Sequence, residues 1–375
     1  MSFYFPLKVS MEQLLLDSLE VRGFRAFRHL EMPRLARVNL IVGRNNAGKT
    51  SVLEALRIYS TDGDPSTIVD ILRSRDEMGD EPFGRSDDEF AIAMESAVEQ
   101  MFNRQRTSSE APAFRVGPSG GAAALEIGLE WVVLQRERLQ GSLFEEPIPV
   151  LRSLPEPVLT VKADGNPPVQ IPLDRLQSFT RRRRESKPSV WISAYGMNSL
   201  ELGEFWDNIA LTDLEEHVLN ALRIIAPEVE RLSLIGDKQG YRNRSVVVKL
   251  PGVKRPVPLR NMGDGMNRIL GLALALVNAS NGVMLADEIE NGLHYSVQAD
   301  MWRLIFRVAD LLNVQVFATT HSWDCIKAFQ DVANSESEIE GILHRLERRG
   351  DGAIKAVEIS EENLAVIARQ QIEIR

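Results

Sequence analysis

The residues best suited to chemistry are residues 43–50, which read GRNNAGKT and fit the phosphate-binding pattern G-x-x-x-x-G-K-[ST] in full. Glycines let the backbone curl so that its N–H groups point at a phosphate, and a following helix adds partial positive charge. In such a loop Lys49 reaches the β- and γ-phosphates of a nucleotide, and the Thr50 hydroxyl ligates Mg²⁺. A chance glycine-rich turn is the alternative, but an apolar strand pattern before the loop and a helical pattern after it favour phosphate binding. The candidate nucleotide contacts are Gly43, Asn45, Asn46, Ala47, Gly48, Lys49, Thr50 and Ser51.

A pair of acidic residues forms the second candidate group. The apolar run VMLA of residues 283–286 ends in Asp287 and Glu288. When a strand of a parallel sheet ends in acidic residues, these face the ligand crevice at the carboxyl edge of the sheet. There Asp287 can hold Mg²⁺, directly or through water, and Glu288 can accept a proton from an attacking water. An acidic helix N-terminus is the alternative, because carboxylates also interact favourably with the helix dipole.

Two further groups of residues are weaker candidates for a functional role. His321 follows the apolar run of residues 316–318 and two threonines. If that strand lies beside the strand of Asp287, His321 emerges on the same crevice and can hydrogen-bond the γ-phosphate or the water, although a lone histidine is more often structural. The turn MGDG of residues 262–265 precedes an apolar helical pattern and is either a second phosphate binder or a plain connection. Its candidate residues are Gly263, Asp264 and Gly265.

The elements that position these residues alternate between strands and helices. Strands are predicted at residues 16–22, 29–32, 37–42, 282–286 and 314–319, and helices at residues 50–59, 267–278 and 295–312. This alternation predicts an α/β fold with a mainly parallel central sheet and helices on both faces. We expect a discontinuous nucleotide-binding lobe of residues 17–60 and 236–375, with residues 61–235 as an inserted α+β lobe.

Composition and charge exclude several classes of protein. The 375 residues include 44 Lys and Arg against 53 Asp and Glu, so the net charge of −9 argues against a wholly basic nucleic-acid binder. The single cysteine, Cys325, excludes a disulfide framework and a four-cysteine zinc site, and indicates a reducing cytoplasm. The longest apolar run, residues 269–277, is far shorter than the roughly 18 residues of a membrane span. We also expect no signal peptide.

Taken in order, these motifs resemble a known family. The opening LEVRGFRAF of residues 19–27, the segment VNLIVGRNNAGKT of residues 38–50 and the segment DEIENGLH of residues 287–294 are similar to an ABC-type ATPase head. Specifically, they resemble the SMC/RecF-like branch and the overcoming-lysogenization-defect (OLD) family. The resemblance covers roughly residues 17–60 and 255–330, and it implies a P-loop NTPase fold of the ABC-ATPase type.

The resemblance also implies how such a head works. Two heads would dimerise head-to-tail around two ATP molecules, with Mg²⁺, so that the P-loop of one faces the glycine-rich signature of the other. Glu288 would be the catalytic carboxylate and His321 the switch histidine. Glu290 and Asn291 would form the D-loop that crosses the interface, and Arg25 would lie near the nucleotide.

Two departures from the family pattern change the expected function. Gly263 stands where the usual signature has serine, which predicts slow hydrolysis because a hydroxyl donor is missing. The residues after His321 contain no D-x-D pair at the end of an apolar strand, so we expect an ATPase without the Toprim nuclease of OLD proteins. The glutamine of the Q-loop is not placed, and Gln135 is only one candidate.

Two functions follow from this interpretation. The first is an ATPase that acts on DNA, or drives a separately encoded DNA-processing or phage-defence partner such as a nuclease. The alternative is a slow nucleotide-switched scaffold or sensor that regulates a separately encoded effector. A membrane partner is not expected.

The basic run of residues 181–184 can bind phosphate backbones or be a solvated loop.

Overall fold

A parallel sheet forms the centre of the molecule. The computed structural model describes residues 14–78, 87–103, 112–121, 123–133, 155–163, 165–176, 187–237, 240–263 and 265–359. The central sheet has six strands in the order β15, β14, β3, β13, β12 and β8. All neighbours are parallel except β14 and β15. The bounds are β3 Val38–Gly43, β8 Ser189–Ile192, β12 Val283–Ala286, β13 Gln315–Thr319, β14 Gly341–Arg348 and β15 Ile354–Ile359.

A second six-stranded sheet is antiparallel throughout. Its order is β2, β1, β4, β5, β6 and β7. It begins with the hairpin of β1 and β2, whose two-residue turn has Arg25 at a φ of 47°, as tight hairpin turns require. The bounds are β1 Leu19–Phe24, β2 Phe27–Met32, β4 Ala113–Gly117, β5 Leu125–Val132, β6 Glu156–Ala163 and β7 Val169–Pro172. This sheet differs from the expectation of a mainly parallel architecture.

Eight helices and a small sheet complete the described residues. The small sheet contains β9 Arg231–Asp237, β10 Gly240–Lys249 and β11 Val257–Pro258. The helices are α1 Lys49–Ser60, α2 Pro65–Ser74, α3 Asp87–Glu99, α4 Ser199–Asp207, α5 Leu214–Arg223, α6 Met266–Asn278, α7 Tyr295–Leu311 and α8 Trp323–Ser335. None of these helices is both long and apolar enough to cross a membrane.

Two apolar cores lie on opposite faces of the central sheet. One core joins that sheet to α4–α8, and the other joins it to α1, α2 and the antiparallel sheet. Every residue of β3, β12 and β13 is buried, as expected for parallel strands covered on both faces. Helix α1 contacts both β12 of the central sheet and β4 of the antiparallel sheet, so the helix that follows the phosphate loop lies between two sheets.

The strands of residues 61–235 pair with strands on both sides of that range. β4 pairs with β1 in the antiparallel sheet, and β8 pairs with β12 in the parallel sheet. Because β8 and β12 are parallel, the chain between them must form a long crossover connection, whereas antiparallel neighbours can be joined by short turns. The division of the chain into a nucleotide-binding lobe and an inserted lobe stays a prediction.

A buried histidine makes the stability of this fold depend on pH. His344 on β14 is 2% exposed, and its Nε2 atom has no hydrogen-bond partner among the described residues. Burial, followed by the positive charge of Arg34, lowers the pKa of His344 to about 4 from its ordinary value of 6.5. His344 is therefore neutral in the folded protein, while in the unfolded chain it binds a proton below pH 6.5.

The first prediction concerns acid stability. The contribution of neutral His344 is fully present above pH 6.5 and is lost as pH falls through about 4, by an amount on the order of 3 kcal/mol. We expect His344→Leu to remove this part of the pH dependence. Urea unfolding at several pH values between 7 and 4 measures it, with the partly exposed His217→Leu as the control. Equal pH slopes for His344→Leu and the wild-type protein would contradict the prediction.

Candidate functional site

The candidate residues converge at the carboxyl edge of the parallel sheet. β3, β13, β12 and β8 end side by side, because Ile41 pairs with Thr319, and Ala286 pairs with both Ala318 and Ile192. The segments after these four strands therefore open on one edge. This edge is where open α/β sheets bind their ligands.

The phosphate loop at this edge is closed around a lysine. Lys49 Nζ donates to the backbone oxygens of Gly43, at 2.9 Å, and Arg44, at 3.4 Å. Gly48 precedes α1 with a φ of 94°, and a Cβ atom there would lie 2.7 Å from the buried ring of Phe27, so only glycine fits. Burial lowers the pKa of Lys49, while Asp287, Glu288 and Glu290 oppose this shift.

Asp287 connects the phosphate loop to two strands of the sheet. Thr50 Oγ1 donates to Asp287 Oδ2 at 3.0 Å, and Thr319 Oγ1 donates to Asp287 Oδ1 at 2.5 Å. The backbone N–H of Glu288 in turn donates to Thr319 Oγ1 at 2.9 Å. The start of α1 and the ends of β12 and β13 are thus held together by one carboxylate.

The oxygens of Thr50 and Asp287 fit a magnesium ion. Among the described residues, no group of three or more His, Cys, Asp or Glu side chains could hold a metal by itself. Mg²⁺ does not need such a cage, because it is usually bound by one or two protein oxygens, waters and the phosphates of its substrate. A threonine hydroxyl and a carboxylate beside a phosphate loop provide that set of donors.

Glu288 lies at this edge between the side chains of Asn291 and His321. Asn291 Nδ2 donates to Glu288 Oε2 at 2.6 Å, and His321 Nδ1 lies 3.4 Å from Glu288 Oε1. His321 Nδ1 is also 3.8 Å from the buried Glu290 carboxylate. The backbone of Glu288 has a φ of 44°, an uncommon conformation for a non-glycine residue. The structure thus brings Glu288 and His321 to the same edge, and it also places Asn291, which the resemblance assigns to an interface between two copies, against Glu288 of the same chain.

Sequence reasoning missed Arg268, in the first turn of α6. Its guanidinium donates to four backbone oxygens, those of Ser193 at 3.0 Å, Glu288 at 3.0 Å, Asp287 at 3.3 Å and Ile289 at 3.4 Å. Burial lowers the pKa of Arg268, and the nearby carboxylates oppose this shift. A lone arginine at the start of an otherwise apolar helix is the sequence signal that marks it.

The glycine-rich turn before α6 lies beside the segment that follows Asn291. Gly263 has a φ of 121°, and a Cβ atom at Gly265 would lie 3.0 Å from the side chain of Leu293. The turn is therefore next to residues 292–293 of the same chain. Asp264 lies outside the described residues, as do Gln135 and the basic run of residues 181–184.

Arg25 lies in a buried group of ion pairs. Its Nε is 2.7 Å from Glu54 and its Nη1 is 2.6 Å from Glu77. Burial by itself lowers the pKa of Arg25, but the two carboxylates outweigh burial and raise it. Another arginine, Arg75, contacts the residue that follows the phosphate loop, because its Nη2 donates to Ser51 Oγ at 3.3 Å. The assignment of Arg25 to nucleotide binding stays a prediction.

Comparisons with known proteins show that the chain is similar to ATPases. A family model described as "AAA ATPase domain" matches residues 15–108 and 201–326, more than half of the chain. An "ATP/GTP phosphatase" of Helicobacter pylori is 22% identical over 85% of this chain and 88% of its own length. The "DNA replication and repair protein RecF" of Thioalkalivibrio sulfidiphilus is 50% identical over 48 residues, which are 13% of each chain.

Solved SMC heads are also similar, at low sequence identity. An "SMC head domain from Thermotoga maritima" is 14% identical, with 92% of this chain and 99% of that chain covered and a TM-score of 0.44. A "SmcHead bound to the C-winged helix domain of ScpA" is 13% identical, covers 93% of this chain and 99% of its own, and has a TM-score of 0.48. The predicted resemblance to SMC/RecF-like ATPases is confirmed by the family model and the RecF segment, while the OLD family stays a prediction.

The second prediction is that Arg268 positions the loop of Glu288. Arg268→Lys keeps the positive charge but loses the fork that reaches four oxygens. We expect ATP turnover to fall about tenfold to a hundredfold, about 1.4 to 2.7 kcal/mol, while ATP affinity changes little. Steady-state kinetics, ATP titration and thermal unfolding of the same preparation measure these effects.

Arg303→Lys is the matched control, because Arg303 is a partly exposed arginine of α7 that pairs with Asp300. It should leave turnover unchanged. Wild-type turnover in a folded Arg268→Lys protein would show that the four contacts of Arg268 do not position the site.

Proposed function

Because the chain belongs to the AAA ATPase domain family and is an ATPase, we propose that it hydrolyses ATP at the carboxyl edge of its parallel sheet. Residues 43–51 bind the phosphates of ATP in this proposal, and Asp287 and Glu288 face them. The observation that carries it is the 3.0 Å hydrogen bond between Thr50 and Asp287. That contact joins the two motifs, which are far apart in sequence, at the edge where a nucleotide would bind.

Each side chain has a role in this proposal. Thr50 and Asp287 hold Mg²⁺, which neutralises charge on the phosphates when it is bound. Lys49 interacts with the β- and γ-phosphates. Glu288 accepts the proton of the attacking water, and its partial exposure leaves its carboxylate able to reach that water. In this proposal His321, which lies 3.4 Å from Glu288, donates to the γ-phosphoryl oxygens as negative charge develops on them.

The proposed active assembly is a head-to-tail homodimer. What supports it is the position of Gly265 in the glycine-rich turn, which lies beside residues 292–293 on the rim of the site. A second copy that docks across this rim would place its own glycine-rich turn over the phosphate loop of the first. Each site would then need residues from both copies.

The proposed partners are DNA or a separately encoded DNA-processing or defence protein. The segment shared with the replication and repair protein RecF supports action on DNA. Gly263 favours a second candidate function, a slow nucleotide-switched scaffold, because glycine offers no hydroxyl to the γ-phosphate. Turnover measured with and without DNA distinguishes the two: DNA should stimulate the first and leave the second slow.

The third prediction tests the shared sites by mixing two inactive variants. Lys49→Ala removes the ammonium of the phosphate loop, and Gly263→Asp places a negative charge in the turn that would face phosphate. Each homodimer then has two inactive sites, but a mixed dimer has one complete site. In an equal mixture we expect about a quarter of wild-type turnover, since half of the dimers are mixed and each has one of two sites.

Turnover of the separate variants and of the mixture, at the same total protein concentration, measures the recovery. Gel filtration with ATP shows whether mixed dimers form. Dimers without recovered turnover would contradict the head-to-tail arrangement, whereas the ATP-binding role of residues 43–50 would stand.

A further inference from the structure

A strongly basic segment of this acidic protein lies in the small sheet. Residues 244–263 contain no Asp or Glu, although the whole chain has a net charge of −9. The segment covers the second half of β10, the turn after it and β11. Its basic residues are Arg244, Lys249, Lys254, Arg255 and Arg260. Positive charge that is concentrated in this way indicates a surface for a polyanion.

The turn between β10 and β11 has a fixed backbone. It begins with the sequence LPGV of residues 250–253, in which the Val253 N–H donates to the Leu250 carbonyl oxygen at 3.3 Å. Gly252 has a φ of 72°, and proline followed by glycine at the two central positions favours a type II turn. Pro256 restricts the end of the turn in the same way. The turn therefore loses little conformational entropy when it binds a ligand.

The turn presents Lys254 and Arg255 to solvent. Every residue from 251 to 256 is exposed, and neither cation forms an ion pair with a carboxylate in the described part of the chain. Lys249, by contrast, lies 2.8 Å from Glu230. Because a paired cation must give up its carboxylate before it binds another anion, Lys254 and Arg255 are better placed than Lys249 to bind phosphate groups.

We propose that Lys254 and Arg255 bind the phosphate backbone of a nucleic acid. Cations that neutralise backbone phosphates release counterions, which supplies affinity without any reading of sequence. A lipid surface is not favoured, because Val253, at 42% exposure, is the one large exposed hydrophobic residue between residues 250 and 258. The choice of a nucleic acid over other polyanions rests on the proposed function.

The fourth prediction is that nucleic-acid binding depends on these two cations. In the double variant Lys254→Gln/Arg255→Gln we expect the affinity for a short DNA duplex to fall at least tenfold. The slope of log affinity against log salt should become less steep by about 1.8, which is about 0.9 for each lost phosphate contact. Fluorescence anisotropy of the labelled duplex at several salt concentrations measures both. Parallel titrations with single-stranded DNA and RNA identify the nucleic acid that the wild-type protein binds most tightly.

The double variant Arg349→Gln/Lys355→Gln is the matched control. It removes the same two charges from another exposed hairpin, that of β14 and β15, and should bind nucleic acid like the wild-type protein. An equal loss of affinity in this control would show an effect of net charge alone and would overturn the inference. Without nucleic acid, Lys254→Gln/Arg255→Gln should keep the wild-type ATP turnover, because neither residue belongs to the candidate site.

Three further outcomes separate this inference from the proposed function. Wild-type affinity and salt slope in Lys254→Gln/Arg255→Gln would overturn the inference and leave action on DNA through another surface. If the wild-type protein hydrolyses ATP but binds no nucleic acid at low salt, the inference and the proposed DNA partner both fall, while the ATPase site stands. Polyglutamate that displaces the duplex at equal charge concentration would overturn the inference in favour of an acidic protein partner.

Discussion

The arrangement of the site depends on one carboxylate. Asp287 accepts hydrogen bonds from Thr50, at the start of α1, and from Thr319, at the end of β13. Three chain segments that are remote in sequence therefore meet within hydrogen-bond distance. An active site needs its groups in a fixed geometry. Without such a carboxylate, the same edge would hold the phosphate loop, the acidic strand end and the histidine segment, but their relative positions would not be fixed.

The scaffold behind Asp287 explains why these segments meet there. β3, β12 and β13 are entirely buried and run parallel, so their polar continuations can reach solvent at one edge. Helix α1 lies between the two sheets, which restricts the direction in which the phosphate loop points. The partly buried guanidinium of Arg268 then fixes the loop after β12 from the side of α6.

Sequence alone predicted the parts of this site whose signal is local. The phosphate loop, the acidic end of β12 and the strand before His321 each combine a short motif with apolar periodicity, and the structure places them as expected. The sequence did not predict the antiparallel sheet, because the pairing of β1 with β4 joins segments that only the tertiary fold brings together. For the same reason, the sequence did not predict the contacts of Arg268 and Arg75 or the ion pairs of Arg25.

The most direct measurement is single-turnover hydrolysis of bound ATP by Glu288→Gln, with ATP affinity determined on the same sample. The substitution keeps the shape and the contact with Asn291 but removes the group that accepts the proton. The account predicts unchanged ATP affinity and hydrolysis that is at least a hundredfold slower, corresponding to about 2.7 kcal/mol. Hydrolysis at the wild-type rate would contradict it, because the base would then lie elsewhere.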